Sequence, residues 1–215
     1  MKKTIQVGTS DFKKIIQDNH YFVDKSLIIK EFVENGADVI LTLRPRRFGK
    51  TLNMSMIKHF FDIENKEENK NLFKGLKIEN EKEIMKMQGR YPVIFISFKD
   101  QKHFNFNNLE ESISILISHL FRDYEYLLDS EKLSELDKKE LKRYMAKEAS
   151  VIEYSGGLNV LMKFMYKHYN EKIIVLIDEY DVPLQEAFIR GYYEEAFKFL
   201  FTLDLFERRS EKWKN

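Results

Sequence analysis

The chain has 215 residues and a net charge of only +1, so it has no overall basic field that would draw it to nucleic acid. Its apolar content of 43% and charged content of 33% are enough for one soluble domain with a buried core. The absence of cysteine excludes disulfides and thiolate metal sites and predicts a reducing, cytoplasmic location. No apolar stretch approaches a membrane span, and the basic N-terminal residues lack the apolar run of a signal peptide.

Residues 9–36 are predicted to be mainly helical. Asp11 begins one periodic segment, and Asp24-Lys25-Ser26 begins a second whose apolar face includes Leu27 and Phe32. Gly36 is a suitable C-terminal stop for that second helix.

The stretch Val39–Thr51, VILTLRPRRFGKT, has the pattern of a phosphate-binding (Walker A) loop. The apolar run Val39–Leu43 predicts a buried strand, and Gly49 opens a helix. Unpaired N–H groups at a helix N-terminus attract anions, and glycine lets the backbone approach them closely. Lys50 can place an ammonium group on the outer phosphates, and Thr51 can offer its hydroxyl to Mg²⁺.

This loop departs from the usual pattern, which has glycine five residues before Gly49. Arg44 occupies that position, and Pro45 follows it. Together with Arg46 and Arg47, the loop concentrates positive charge where a polyphosphate would lie. The Gly-Lys-Thr motif alone also fits a surface turn, so the interpretation depends on a second element.

That second element is Lys172–Pro183, KIIVLIDEYDVP. The apolar run Ile173–Ile177 predicts a strand that ends in the adjacent carboxylates of Asp178 and Glu179, a Walker B pattern. Such a strand end supplies the other half of a phosphoryl-transfer site. Asp178 would hold Mg²⁺ directly or through water, and Glu179 would orient and deprotonate the attacking water. The alternative is an acidic turn that only caps the next helix.

The segment between these elements is predicted to contain one further strand and several helices. Val93–Phe98 reads as a second buried strand, and residues 100–170 read as largely helical. The highly charged helix within Ser130–Glu148 is either a lid or partner surface, or a solvated helix with one packed stripe.

The sequence resembles the bacterial AAA-ATPase-like proteins of the P-loop NTPase superfamily. The resemblance extends to about residue 203 and rests on five stretches, namely FVDKS (Phe22–Ser26), RPRRFGKT (Arg44–Thr51), LFKGLKI (Leu72–Ile78), YPVIFISF (Tyr91–Phe98) and VLIDEYDVP (Val175–Pro183). Arg44 in place of glycine is typical of that family. Members are presumed ATPases, and many carry a nuclease-like domain after the ATPase core, for which this chain has no room.

The resemblance implies an α/β fold. This is a three-layer P-loop NTPase core with a mostly parallel sheet and a helical insertion, forming one domain over residues 1–215. It also implies ATP and Mg²⁺ as cofactors and places Asp24 close to the nucleotide, although Asp24 also fits a simple helix cap. The expected nucleotide-binding residues are Asp24, Arg44, Pro45, Arg46, Arg47, Phe48, Gly49, Lys50 and Thr51. The expected catalytic residues are Lys50 and Glu179, and the expected metal ligands are Thr51 and Asp178.

Three functions are therefore compatible with the sequence. The first is a Mg²⁺-dependent ATPase, in which water attacks the γ-phosphate. The second is a nucleotide-gated module that binds a protein partner, or itself, and turns over little ATP. The third is a nucleic-acid-associated protein, which the three loop arginines suggest but the net charge does not support. Arg190, Arg208 and Arg209 are equivalent candidates for an arginine finger.

The C-terminal part of the sequence predicts an incomplete sheet. In ATPases of the type that this chain resembles, a further strand lies between the acidic strand and the loop strand, and only helix is predicted after Pro183. The tail Phe206–Asn215 lacks the residues usual in the family at this point. Codons permitted for this tail, when read one base out of frame, encode a stretch that resembles the family's. We therefore expect a truncated, frameshifted ATPase that is aggregation-prone on its own and has little turnover.

Overall fold

The structure is a computed structural model, which describes residues 4, 8–41 and 48–202. Its helices are α1 (Phe12–Gln17), α2 (Ile28–Glu34), α3 (Lys50–Phe61), α4 (Lys66–Asn69), α5 (Lys82–Met85), α6 (Phe106–Asp123), α7 (Glu135–Met145), α8 (Val151–Ser155), α9 (Gly157–Tyr169), α10 (Val182–Arg190) and α11 (Tyr193–Thr202). The strands are β1 (Val93–Ser97) and β2 (Ile174–Asp178), and single 3₁₀ turns cover Lys70–Phe73, Lys77–Asn80 and Glu125–Asp129.

The strands β1 and β2 pair in parallel. Near their beginnings Ile174 N–H donates to the carbonyl of Pro92 across 3.0 Å, and near their ends Phe98 N–H donates to the carbonyl of Asp178 across 2.9 Å. Both strands therefore finish at the same edge, which agrees with the mostly parallel sheet that the family resemblance implies. Within the described ranges the sheet consists of this pair alone, and α6 to α9 lie between the two strands in the chain. The fold is thus of the mixed α/β kind.

The sequence predicts a strand over Val39–Leu43. This prediction is wrong for the three residues of the run that the structure describes. Val39, Ile40 and Leu41 have no strand conformation and are 53%, 38% and 57% exposed. Thr42 and Leu43 lie outside the described residues. An apolar run becomes a strand only when a neighbouring strand takes up its backbone N–H and C=O groups. The described sheet offers Val39–Leu41 no such neighbour.

The described residues group into two compact units. The first contains the residues up to Phe95 together with Ile174–Leu176, and the second contains Ile96–Ile173 and the residues from Ile177 onward. Each unit is built around one amphipathic helix.

In the first unit, α3 provides the centre of the core. Its fully buried side chains Phe60 and Phe61 lie edge to face with ring centroids 5.0 Å apart, and Phe60 also meets Phe73 at 5.1 Å. Burying an aromatic side chain of this size contributes about 1.5–3 kcal/mol to folding. The remaining core residues come from most of the other elements of the unit, and include Phe12, Ile29, Ile78, Ile84, Val93 and Leu176. These contacts hold α3, and with it the loop end of the helix, in a fixed position.

In the second unit, α6 packs against α7, α8 and α9. Phe121 of α6 stacks on Tyr144 of α7 with ring centroids 4.2 Å apart. Gly157, at the start of α9, is approached so closely by Ile117 that a Cβ there would lie 2.7 Å from its side chain. The highly charged helix α7 begins with a capping box formed by Ser134 and Asp137. The helix α7 has one packed stripe, which includes Leu141 and Tyr144. This agrees with the alternative of a solvated helix with one packed stripe.

Among residues 4, 8–41 and 48–202, no helix combines the length and apolar character needed to cross a membrane.

Candidate functional site

Gly49 forms a left-handed turn directly before α3. Its backbone has φ 76° and ψ 22°, and its carbonyl accepts the first helical hydrogen bond from Asn53 N–H across 2.9 Å. A Cβ at Gly49 would meet no atom of the described residues within 4 Å, so the positive φ is what favours glycine at this position. The sequence prediction of a glycine turn at the start of a helix is confirmed.

The first turn of α3 is where the sequence predicts a phosphate site. Lys50 and Thr51 are its first two residues, both are half-buried, and the turn contains no acidic side chain. The N–H groups of a first helical turn lack intrahelical acceptors and form the positive end of the helix dipole. Phe48 precedes the turn and is 61% exposed. The predicted binding residues Arg44, Pro45, Arg46 and Arg47 lie outside the described residues.

Asp24 acts as a backbone clamp in the first unit. Its Oδ1 accepts Ser26 N–H at 2.8 Å, and its Oδ2 accepts Lys77 N–H at 2.7 Å. Partial burial opposes ionisation, but the hydrogen bonds from Ser26 and Lys77 outweigh it and lower the pKa of Asp24 below 3.8. Both oxygens therefore serve the fold, but Asp24 does not cap α2, whose N-cap residue is Leu27 and which has no side-chain cap hydrogen bond. A contact to nucleotide remains a prediction.

The acidic residues lie at the end of β2, in the second unit. Asp178 is the last residue of the strand and only 3% exposed. Glu179 follows in the left-handed conformation with φ 53°, which is unfavourable for a residue with a side chain. Strained backbone of this kind persists where the surrounding structure enforces it, and it is frequent at functional sites. The turn then leads into α10, whose cap residue is Asp181 and whose first turn contains Pro183.

Two polar residues at the same strand edge were not among the sequence predictions. Gln101, which is 7% exposed, follows β1, and its N–H donates to the carbonyl of Phe98 across 3.0 Å. Its side-chain Oε1 lies 3.3 Å from His103 Nε2, and Tyr192 O–H donates to the carbonyl of His103. Burial, only partly offset by the charge of Glu186, lowers the pKa of His103, so the ring is neutral at neutral pH. The only sequence signal was their position just after an apolar strand.

Asn53 was also missed. It lies on the buried face of α3, one turn after Gly49 and one turn before Ile57, and is only 5% exposed. Its side-chain Nδ2 has no hydrogen-bond partner among the described residues. A polar residue in an apolar helical stripe was the sequence signal for it.

Within the described ranges, no three histidine or acidic side chains cluster in a way that could hold a metal by themselves. Magnesium does not need such a cluster, since it keeps several waters and uses one or two protein carboxylates together with substrate phosphates. A hydroxyl and a carboxylate, as at Thr51 and Asp178, suit this cation. That these two residues ligate the same magnesium ion remains a prediction.

The profile of the AAA-ATPase-like family, described as "Predicted AAA-ATPase", matches residues 6–207, and the chain belongs to this family. A protein of Azotobacter chroococcum mcd 1, named "Uncharacterized protein in vnfD 5'region", is 26% identical over 190 residues. The aligned part covers 88% of this chain and 31% of that relative, so the chain spans about a third of the relative's length. No solved structure matches the chain.

Proposed function

We propose that this chain binds ATP with Mg²⁺ through a phosphate site at the start of α3, as the nucleotide-binding part of a P-loop ATPase. Phosphate oxygens are bound by the N–H groups of the first helical turn and by the ammonium group of Lys50. The three-layer P-loop core is part of this proposal, and the parallel pair β1 and β2 supports it.

The observation that carries the proposal is the left-handed Gly49 turn at the head of α3. It directly precedes a 12-residue helix that has lysine and threonine as its first residues and no acidic side chain in its first turn. A helix start of this composition attracts a multiply charged anion. The family model matches a range that includes both this turn and β2. This match supports a nucleotide as the anion that binds here.

Asp178 and Glu179 have distinct roles in this proposal. Asp178, buried at the end of β2, binds Mg²⁺ directly or through water together with the hydroxyl of Thr51. The metal neutralises charge on the phosphates. Glu179, held in a strained turn just beyond, orients and deprotonates the water that attacks the γ-phosphate. Catalysis then depends mainly on positioning and on charge.

A calorimetric titration of the chain with ATP, with Mg²⁺ and with excess chelator, tests this proposal. We expect saturable binding that is markedly tighter with Mg²⁺ present. The absence of binding by folded protein in either condition would contradict it. Titration with GTP in parallel tests the preference for adenine, which derives only from the family.

A second function, a nucleotide-gated interaction module with little turnover, is favoured by an aromatic row on the second unit. The rings of Phe188, Tyr193, Phe197 and Phe201 follow one another with centroids 6.2, 5.9 and 5.9 Å apart. All four are at least 37% exposed. Exposed aromatic surface of this extent is typical of a protein-binding face. ATP affinity without steady-state hydrolysis would favour this function over an ATPase.

Nucleic-acid association remains a third prediction. It depended on the three loop arginines, which lie outside the described residues. A salt-dependent DNA affinity that survives the loss of Lys50 would support it.

A further inference from the structure

We infer that Asn53 is a further nucleotide-binding residue, whose side-chain Nδ2 donates a hydrogen bond to a phosphate oxygen of the bound nucleotide, directly or through one water. This inference rests on the proposed function, because it places the ligand at the start of α3.

The first step of the argument is the cost of burying this amide. Asn53 is 95% buried, since its exposed fraction is 5%, and among the described residues its Nδ2 donates to no acceptor. Its neighbours on the same face of α3 are the apolar Met56 and Ile57. A buried donor without an acceptor destabilises a protein, and native structures retain such a group only where something else uses it.

The second step is the direction of the side chain. In a helix the Cα–Cβ bond tilts toward the N-terminus, so a side chain covers the turn that precedes its own residue. For Asn53 that turn is Gly49–Lys50. The backbone N–H of Asn53 also donates to the carbonyl of Gly49. The amide therefore belongs to the inner side of the turn whose N–H groups would bind phosphate.

The third step is chemical. A phosphate oxygen is a strong acceptor and can take hydrogen bonds from several donors. An amide NH₂ group adds a donor without adding charge, and it suits the inner, apolar side of the site better than a lysine would. Binding of nucleotide would then satisfy a donor that the fold leaves unused, which makes Asn53 contribute to affinity more than to stability.

The test compares two buried asparagines of the first unit. Asn69 on α4 is 1% exposed, and both of its amide atoms are also without a partner among the described residues. It lies beyond the far end of α3 from Gly49, so Asn69→Leu is the matched control for Asn53→Leu. The measurements are thermal unfolding without nucleotide and calorimetric titration with ATP and Mg²⁺.

We expect Asn53→Leu to keep or raise the unfolding temperature of the nucleotide-free chain and to weaken ATP binding about tenfold. Asn69→Leu should leave ATP affinity unchanged. Asn53→Asp, which keeps the shape but places an anion near phosphate, should weaken binding by more than Asn53→Leu does.

The inference would be overturned if folded Asn53→Leu bound ATP with the affinity of the unmodified chain. It would also be overturned if Asn69→Leu lost as much ATP affinity as Asn53→Leu. If Asn53→Leu does not fold, Asn53→Asp decides in the same way, and failure of both to fold would make Asn53 structural. The two proposals fail differently. An unmodified chain that binds no ATP contradicts the proposed function, whereas tight binding that ignores Asn53 contradicts only this inference.

Discussion

Asp24 and Lys77 are joined by a hydrogen bond in which the backbone N–H of Lys77 donates to Asp24 Oδ2 across 2.7 Å. Two residues on, Ser26 Oγ accepts the N–H of Ile78 at 3.1 Å. The segment that family resemblance places near the nucleotide thus also holds the 3₁₀ turn Lys77–Asn80 in the first unit. Its two possible roles, structural and ligand-binding, can be separated by measurement.

Asp24→Asn should lower the free energy of unfolding at neutral pH, because the amide cannot accept both backbone hydrogen bonds as a carboxylate does. The pKa of Asp24 is lowered in the folded state, so its stabilising effect is present above its unfolded pKa of about 4 and is lost as pH falls through the folded pKa. The variant should therefore lose less stability than the wild type between about pH 7 and pH 3.

Chemical unfolding at several pH values measures this difference, with the exposed Glu67→Gln on α4 as the control. Equal pH dependence in Asp24→Asn and the wild type would refute the clamp. ATP titration of the same variant tests the second role, because a pure clamp leaves the affinity of the folded protein unchanged.

Lys50→Ala should weaken ATP binding by about 1.5–3 kcal/mol, the range for a charge-assisted hydrogen bond to phosphate. Calorimetric titration measures it. Lys58→Ala on the same helix is the control, since Lys58 Nζ lies 5.7 Å from the ring centroid of Phe95 and its loss should affect stability alone. Unchanged affinity in a folded Lys50→Ala would mean that the start of α3 is not the phosphate site.

Glu179→Gln should retain ATP binding and reduce any steady-state hydrolysis, because an amide is a poor base. Phosphate release under saturating ATP measures the rate. Normal hydrolysis by this variant would show that Glu179 is not the group that activates water.

Glu179→Gly should raise the stability of the chain by up to about 1 kcal/mol, because glycine adopts φ 53° without strain. Lys147→Gly is the matched control, since Lys147 has φ 62° in the connection between α7 and α8. Both variants should gain stability in thermal unfolding, whereas only Glu179→Gly should lose hydrolysis. A loss of stability in Glu179→Gly would mean that its side-chain contacts outweigh the backbone strain.

Asp178→Asn should reduce the Mg²⁺-dependent part of ATP binding, because a neutral amide is a weaker ligand for Mg²⁺ than a carboxylate. Titrations with Mg²⁺ and with chelator should then give similar affinities for the variant. Asp181→Asn is the control, because Asp181 caps α10 and its Oδ2 accepts Gln185 Nε2–H at 2.6 Å. A full Mg²⁺ effect in Asp178→Asn would assign the metal to other ligands.

Features that depend on neighbouring residues were determined by the sequence itself. The apolar runs before Lys99 and Glu179 became β1 and β2, and residues 100–170, predicted to be largely helical, contain α6 to α9. Gly36 follows the end of α2 and Gly49 precedes the start of α3, as their positions predicted. The resemblance of five stretches of sequence to the AAA-ATPase-like family was also enough to identify the family, because such stretches can be compared without a fold.

Features that depend on a partner far along the chain were decided only by the tertiary structure. Val39–Leu41 is as apolar as β2, yet no described strand pairs with it and it is exposed. Asp24 reads as a local cap, but one of its oxygens bonds to Lys77, 53 residues away. Asn53 looks like an ordinary helical polar residue until its burial is known. In each case the outcome depends on which groups meet in space, and local patterning cannot specify those partners because folding brings them together from distant positions.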